Sequence, residues 1–209
     1  MLKTIELMIK YRLATTDDMT SIVDVHKKCF PDSFSSTLGN GLLKEYYMSY
    51  YDQHHLFIIA EENNQIIGFC MGYESSSKAY SLFINKERIN LVLSILKGLL
   101  GFNKITWKKL ITICYNIINK PKPIIYETIT HTHKYGDLLS ICVLDKYRGK
   151  GVAKQLVYEF EKLLVENNLF DYYLSLLPDN HRALRFYELC GMRKISETRN
   201  SLVMYKKIQ

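Results

Sequence analysis

Hydrophobic and polar positions follow two periods along the chain, and the switches between them mark its elements. Residues 8–13 alternate like a short strand. Thr15 or Thr16 then caps a helix whose first turn holds Asp17 and Asp18, where the helix dipole favours acids. Met19, Ile22, Val23 and His26 recur at helical spacing on its apolar face. Cys29-Phe30-Pro31 ends it, because a proline disfavours helical backbone in the residue before it. A second helix is predicted over residues 42–51. Residues 56–60 and 65–73 read as two strands of a hairpin, joined by the polar turn Glu61-Glu62-Asn63-Asn64. The chain therefore opens β-α-α-β-β.

The texture then changes. Ile89, Val92, Leu93, Leu96, Leu99 and Leu100 recur at i, i+3, i+4, i+7, and so do Trp107, Leu110, Ile111, Cys114, Ile117 and Ile118. These are two amphipathic helices, with Gly101-Phe102-Asn103 as the turn between them and Pro121-Lys122-Pro123 as the close. Residues 78–125 thus form a helical hairpin inserted between two strands. The simplest packing buries both apolar stripes on the sheet or on a second subunit.

The remainder alternates β-α-β-α-β-β. Residues 138–144 are almost continuously apolar, as expected of a central strand covered on both faces. Residues 151–166 form a helix with Val152, Leu156, Phe160, Leu163 and Leu164 inward. A strand follows at 172–176, then a helix at 180–190 stopped by Gly191. Short strands at 193–197 and 201–205 finish the chain.

Composition narrows the class. Apolar residues make up 47% and charged residues 23%, which argues against disordered, collagen-like and disulfide-scaffold proteins. No apolar run approaches the roughly 18 residues of a membrane span, and residues 1–6 do not read as a signal peptide. Cys29, Cys70, Cys114, Cys142 and Cys190 are scattered without a C-x-x-C pair, so neither a zinc site nor a disulfide framework is indicated. Reduced thiols in a cytoplasmic protein are expected, with no metal. The net charge of +7 is local: residues 78–122 hold nine Lys/Arg and one acid, a net +8, and the rest of the chain sums to −1.

Two stretches carry chemistry. In Ile141-Cys142-Val143-Leu144-Asp145-Lys146-Tyr147-Arg148-Gly149-Lys150-Gly151-Val152-Ala153 a buried strand ends and a Gly-rich basic turn opens a long helix. Amides at a helix N-terminus point at one place and carry partial positive charge. Gly149 and Gly151 let a phosphate approach them, and Arg148 and Lys150 add charge. This is a pyrophosphate cradle, and neither a P-loop nor the dinucleotide G-x-G-x-x-G. In the second stretch, Asn180 to Met192, Ala183, Phe186 and Tyr187 share a helix face, and Asn180 either caps the helix or binds a ligand.

Together and in this order, the two stretches resemble the GNAT superfamily of acyl-CoA-dependent N-acyltransferases. The family's signature [QR]-x-x-G-x-[GA] stands in full as Arg148-Gly149-Lys150-Gly151-Val152-Ala153. Its later motif, N-x-x-A-x-x-x-Y-x-x-x-G-F, stands as Asn180, Ala183, Tyr187, Gly191 and Met192, with Met for the final Phe. The resemblance spans nearly the whole chain outside the insertion. It implies an α/β fold, one GNAT domain over residues 1–209. The mixed sheet is splayed between strands 4 and 5, and the hairpin is inserted between strands 3 and 4.

The resemblance also implies roles. Acetyl-CoA would lay its pantetheine along the backbone of Ile141, Cys142 and Val143 and its pyrophosphate on the amides of Arg148, Gly149, Lys150, Gly151, Val152, Ala153 and Lys154. Asn180 would bond the pantetheine or shape the acyl site. Tyr187 would protonate the departing thiolate, since a phenol near pKa 10 is close enough to a thiol near 8.5 to donate in the transition state. Some members use a strand-4 Glu as base; its position here is Asp137. Glu74, Glu127, His131 and His133 are the alternatives. Residues 30–39 resemble the acceptor wall of sugar-modifying acetyltransferases. The expected acceptor is a primary amine on a small molecule, an amino sugar or sugar nucleotide. Peptide or protein N-acetylation competes, and an acyl-CoA-binding or membrane-recruited scaffold without turnover is the rival class. For residues 78–125, contact with the inner face of a membrane and a homodimer are both compatible. Nucleic acid is not expected, because no recognition motif accompanies the charge.

Overall fold

The computed structural model describes residues 8–54, 56–101, 103–108 and 134–208, without the side chains of residues 53 and 54. The second amphipathic helix beyond Lys108, the Pro121-Lys122-Pro123 close, Cys114, Glu127, His131 and His133 lie outside the described residues.

Among the described residues, seven strands form one mixed sheet. β1 (Lys10–Leu13), β2 (Phe57–Glu62), β3 (Gln65–Glu74) and β4 (Gly136–Val143) run antiparallel in that order. β4 pairs in parallel with β5 (Asp171–Leu176), and β5 continues antiparallel through β7 (Leu202–Lys207) to β6 (Arg193–Glu197). On one face lie α1 (Met19–Cys29), the short α2 (Phe34–Thr37) and α3 (Asn40–His54), over a core that includes Ile22, Tyr47, Phe69 and Cys142. On the other lie α5 (Val152–Glu166) and α6 (His181–Leu189), over Leu138, Val143, Leu156, Phe160 and Tyr187. α4 (Ala79–Leu100) stands between β3 and β4 and packs on α3.

Local chemistry explains the starts and stops. The Thr15 amide donates to the Asp18 carboxylate (2.7 Å) in a capping box, and Arg12 clamps the same carboxylate at 2.7 and 2.9 Å. Arg12 and the backbone and hydroxyl of Thr15 hold the Asp18 carboxyl down at about 2. α1 ends where Phe30, ahead of Pro31, leaves helical backbone (φ −128°, ψ 55°).

One irregularity shapes the centre. Met71 pairs with Ser140 but Gly72 pairs with Leu138, so Leu139 is an extra residue in β4. A bulge of this kind raises local twist and bends its strand. β4 and β5 pair only at Gly136↔Tyr172 and Asp137↔Tyr173, although both strands run on. From Leu138 onward the two diverge, and β5 keeps its full pairing with β7. The splay expected between strands 4 and 5 is present. Gly72 lets the bulge close: a Cβ there would sit 2.4 Å from the Asp137 carbonyl oxygen and 2.5 Å from the Phe160 ring. Gly72→Ala should therefore lower the denaturation midpoint by about 1–3 kcal/mol of stability, the usual cost of overpacking. Gly41→Ala, where a Cβ meets nothing within 4 Å, should stay within about 0.5 kcal/mol of wild type.

The first helix of the insertion does not bury its stripe on the sheet. Ala79, Phe83 and Glu87 are the buried residues of α4, whereas Ile89, Val92, Leu93, Leu96 and Leu100 are exposed. Phe83 meets Tyr46 of α3 edge-on (5.4 Å), and Lys86 pairs with Glu45. The stripe seen in the sequence points away from the sheet.

Candidate active site

The gap between β4 and β5 is the natural place for an extended ligand. The Leu144 amide donates to the Ile67 carbonyl (2.8 Å) on β3. Strand residues alternate, so the main chain of Cys142 also faces β3, and those of Ile141 and Val143 face the gap. The Cys142 carbonyl is correspondingly the atom that a Cβ on Gly68 would strike. Of the three backbone positions expected to hold pantetheine, Ile141 and Val143 thus present polar groups there and Cys142 does not. The Val143 carbonyl already accepts from Arg148 Nε (3.2 Å), which leaves its amide as the more available group.

At the open end of the gap stands the Gly-rich turn. Gly149 (φ 75°) and Gly151 (φ 82°) both adopt left-handed backbone, which L side chains resist. A Cβ at either would meet nothing within 4 Å, so the space before the turn is open. The first α-helical bond of α5 runs from the Gln155 amide to the Gly151 carbonyl (3.0 Å). The amides of Val152, Ala153 and Lys154 precede it and have no carbonyl one turn back to accept them. They are disposed to bind an anion. Arg148 bends back to Asp145 and the Val143 carbonyl, and Lys150 lies over the Tyr147 ring at 5.4 Å. The backbone therefore supplies the cradle, and both cations brace its flank.

At the closed end, Tyr73, Ser75, Tyr135, Asp137, Leu139 and Ser175 line a cavity of about 430 Å³. Asp137 is the last β4 residue paired to β5, so it stands where the gap begins. Glu74 is drawn away: it pairs with Lys134 Nζ (2.8 Å) and accepts from the Ser76 hydroxyl (2.5 Å). Of the two described carboxylates considered as a base, only Asp137 lines the cavity.

Tyr187 is buried on α6, its ring against Phe186 (5.1 Å). Burial, aided by the neighbouring Cys70 and Cys190, pushes its phenol well above 10. The near-match to a thiol expected from the reference value is therefore lost, and the proton is held more firmly. Asn180 caps α6, its side chain accepting from the Ala183 amide (3.1 Å).

Sequence reasoning missed a polar chain beneath the site. His26 Nδ1 bonds the Tyr47 hydroxyl (2.6 Å), and Nε2 bonds Ser35 Oγ (2.9 Å). Ser140, next to the bulge, lies close to the Tyr47 hydroxyl. Burial, with Lys27 adding to it, lowers His26 to about 4, so it is neutral at pH 7. At the end of α1, Cys29 lies beside Cys142 and near Arg148. The neighbouring Cys142 and the Arg148 guanidinium favour its thiolate, while burial raises the Cys142 thiol. His26 showed only core spacing in the sequence; its partners are tertiary.

Comparisons with known proteins agree with this fold. Residues 111–192 match the model of the acetyltransferase (GNAT) family. No curated protein sequence matches significantly. Among solved structures, arylalkylamine N-acetyltransferase 2 from Aedes aegypti is similar at a TM-score of 0.62 and 15% identity, over 96% of this chain and 99% of that one. The PaiA N-acetyltransferase from Thermoplasma acidophilum, in complex with coenzyme A, is similar at 0.54 and 14%, over 96% and 99%. Naa20 from Chaetomium thermophilum, in complex with a bisubstrate analogue, is similar at 0.56 and 18%, over 95% and 86%. Residues 111–192 thus match the acetyltransferase (GNAT) family, and the chain shares its fold with these N-acetyltransferase structures.

Proposed function

We propose that this protein is an acetyl-CoA-dependent N-acetyltransferase acting on the primary amine of a small molecule, an amino sugar or a sugar nucleotide. The observation that carries this is the continuity of the gap: a phosphate-binding turn at one end, a carboxylate-lined cavity at the other, and free strand backbone between. Pyrophosphate on the amides of Val152 to Lys154 would leave the pantetheine along Ile141 and Val143 and the thioester near the bulge. A cavity of about 430 Å³ suits a sugar-sized acceptor, and the Tyr73 and Tyr135 rings with the Ser75 and Ser175 hydroxyls suit a polyhydroxylated one.

The amine nitrogen attacks the thioester carbonyl carbon. An N–C bond forms, the C–S bond breaks, and the electron pair leaves on sulfur. Asp137, through a water, takes the amine's proton. The Val143 amide stabilises the oxyanion. Tyr187 gives its proton to the departing thiolate. The test is thiol release from acetyl-CoA across amino sugars, sugar nucleotides, peptides and charged tRNA. Release with an amino sugar or sugar nucleotide is expected. Release only with peptides would overturn the acceptor class. No release with any amine, despite measured acetyl-CoA binding, would overturn catalysis and assign a scaffold.

A further inference from the structure

α4 is built the wrong way round for a helix that only braces a core. Leu82, Ile89, Val92, Leu93, Leu96 and Leu100 fall within about 100° of arc at the helical rotation per residue. All six are exposed, Ile89 at 75% and Leu100 at 81%. Single exposed leucines need no explanation, but an apolar stripe reaching from Leu82 to Leu100, dense from Ile89 onward, does. Beyond it, the helical stretch 104–108 holds Trp107 half-exposed, with its indole N–H donating to the Leu99 carbonyl (3.3 Å).

Charge identifies the occupant. On the same helical arc Arg88 borders one margin of the stripe and Lys97 the other, both exposed, and exposed Lys104 and Lys108 lie near Trp107. The only acid of residues 78–108, Glu87, is buried on the side that packs on α3. A second copy seated face to face would bring like charges together at the rim, which disfavours a pairing. An anionic bilayer accepts the apolar stripe among its acyl chains and the cations at its headgroups, with the indole at the interface. No helix among the described residues is long and apolar enough to cross a membrane, so the element would lie in the surface rather than span it.

We propose that the outward face of α4, from Leu82 to Leu100 with Trp107, docks on an anionic lipid surface and holds the protein there. The experiment is flotation of the full chain with vesicles of phosphatidylcholine alone, or with one-third phosphatidylglycerol. The protein is expected to float with the anionic vesicles only, and less as salt rises. Leu93→Glu with Leu96→Glu should cut partitioning at least tenfold. Both side chains are exposed, so the melting temperature should be unchanged, and Arg88→Glu with Lys97→Glu should act likewise. Failure of wild type to float with anionic vesicles overturns the proposal, as does undiminished flotation of the Leu93/Leu96 variant. A dimer that this variant dissolves, without vesicle binding by wild type, overturns it in favour of a second copy.

Discussion

Asp137→Asn should lower kcat by about a hundredfold or more, the loss typical of a removed general base. The effect should fall on turnover and not on folding, because Asn keeps the shape of the side chain. Position is the reason to expect it. Asp137 is the last β4 residue paired to β5, and its neighbour Leu138 already borders the gap. Across the sheet it stands opposite Tyr73 on one side and Tyr173 on the other. The carboxylate therefore lines the cavity at the closed end of the gap, one residue from where the proposed thioester would lie. Asp is one methylene shorter than the Glu that some family members use here, so a water must complete its reach. Asp137→Glu should accordingly keep most of the rate, and steady-state thiol release with the best acceptor measures both variants. His26 gives the contrast. It is neutral at pH 7 and hydrogen-bonded to Tyr47, whose hydroxyl lies close to Ser140, so it could also pass a proton. If Asp137→Asn keeps full activity and His26→Gln abolishes it, that chain is the base and Asp137 is not.

What the sequence showed well was local. The turn at residues 148–153 needed two left-handed backbones and a helix start, and Gly149, Gly151 and the following apolar periodicity announce both. The cap at Thr15, the stop before Pro31 and the Asn180 cap are likewise written within a few residues of where they act. The bulge is different. β4 is apolar on both faces, so alternation could not reveal Leu139 as the surplus residue. The bulge becomes visible only when β3 is laid alongside, with Gly72 opposite it. The gap that follows from it was expected by resemblance, not by pattern.

The same limit explains α4 and His26. Periodicity found the stripe from Ile89 to Leu100 but could not say which side of the helix meets α3. That side holds Ala79, Phe83 and Glu87, a weaker pattern that Tyr46 and Glu45 select by tertiary contact. His26 sits at core spacing on α1, and nothing local distinguishes it from Ile22 or Val23. Its character comes from Tyr47, 21 residues on, and from Ser35 on a helix of one turn. Burial without a charge partner then keeps the ring neutral, which suits an interior and also a relay.

Tyr187→Phe should lower kcat more than tenfold while the KM for acetyl-CoA stays within about twofold, the signature of a group used in the transition state more than in binding. The change removes one oxygen and leaves the ring in the core beside Phe186, so the melting temperature should hold. The raised phenol pKa sharpens the test in two ways. Its proton stays in place through pH 10, so an alkaline loss of activity below that value belongs to another group. It is also a weak acid beside a thiol near 8.5, so full transfer before C–S cleavage is uphill, and the proton must move as charge develops on sulfur. The cost of losing it should then depend on the leaving group. With an acetyl thioester of a more acidic thiol, the departing sulfur needs less help, and wild type and Tyr187→Phe should converge. An equal deficit with both donors would show that Tyr187 serves the fold or the acyl pocket and does not supply the proton.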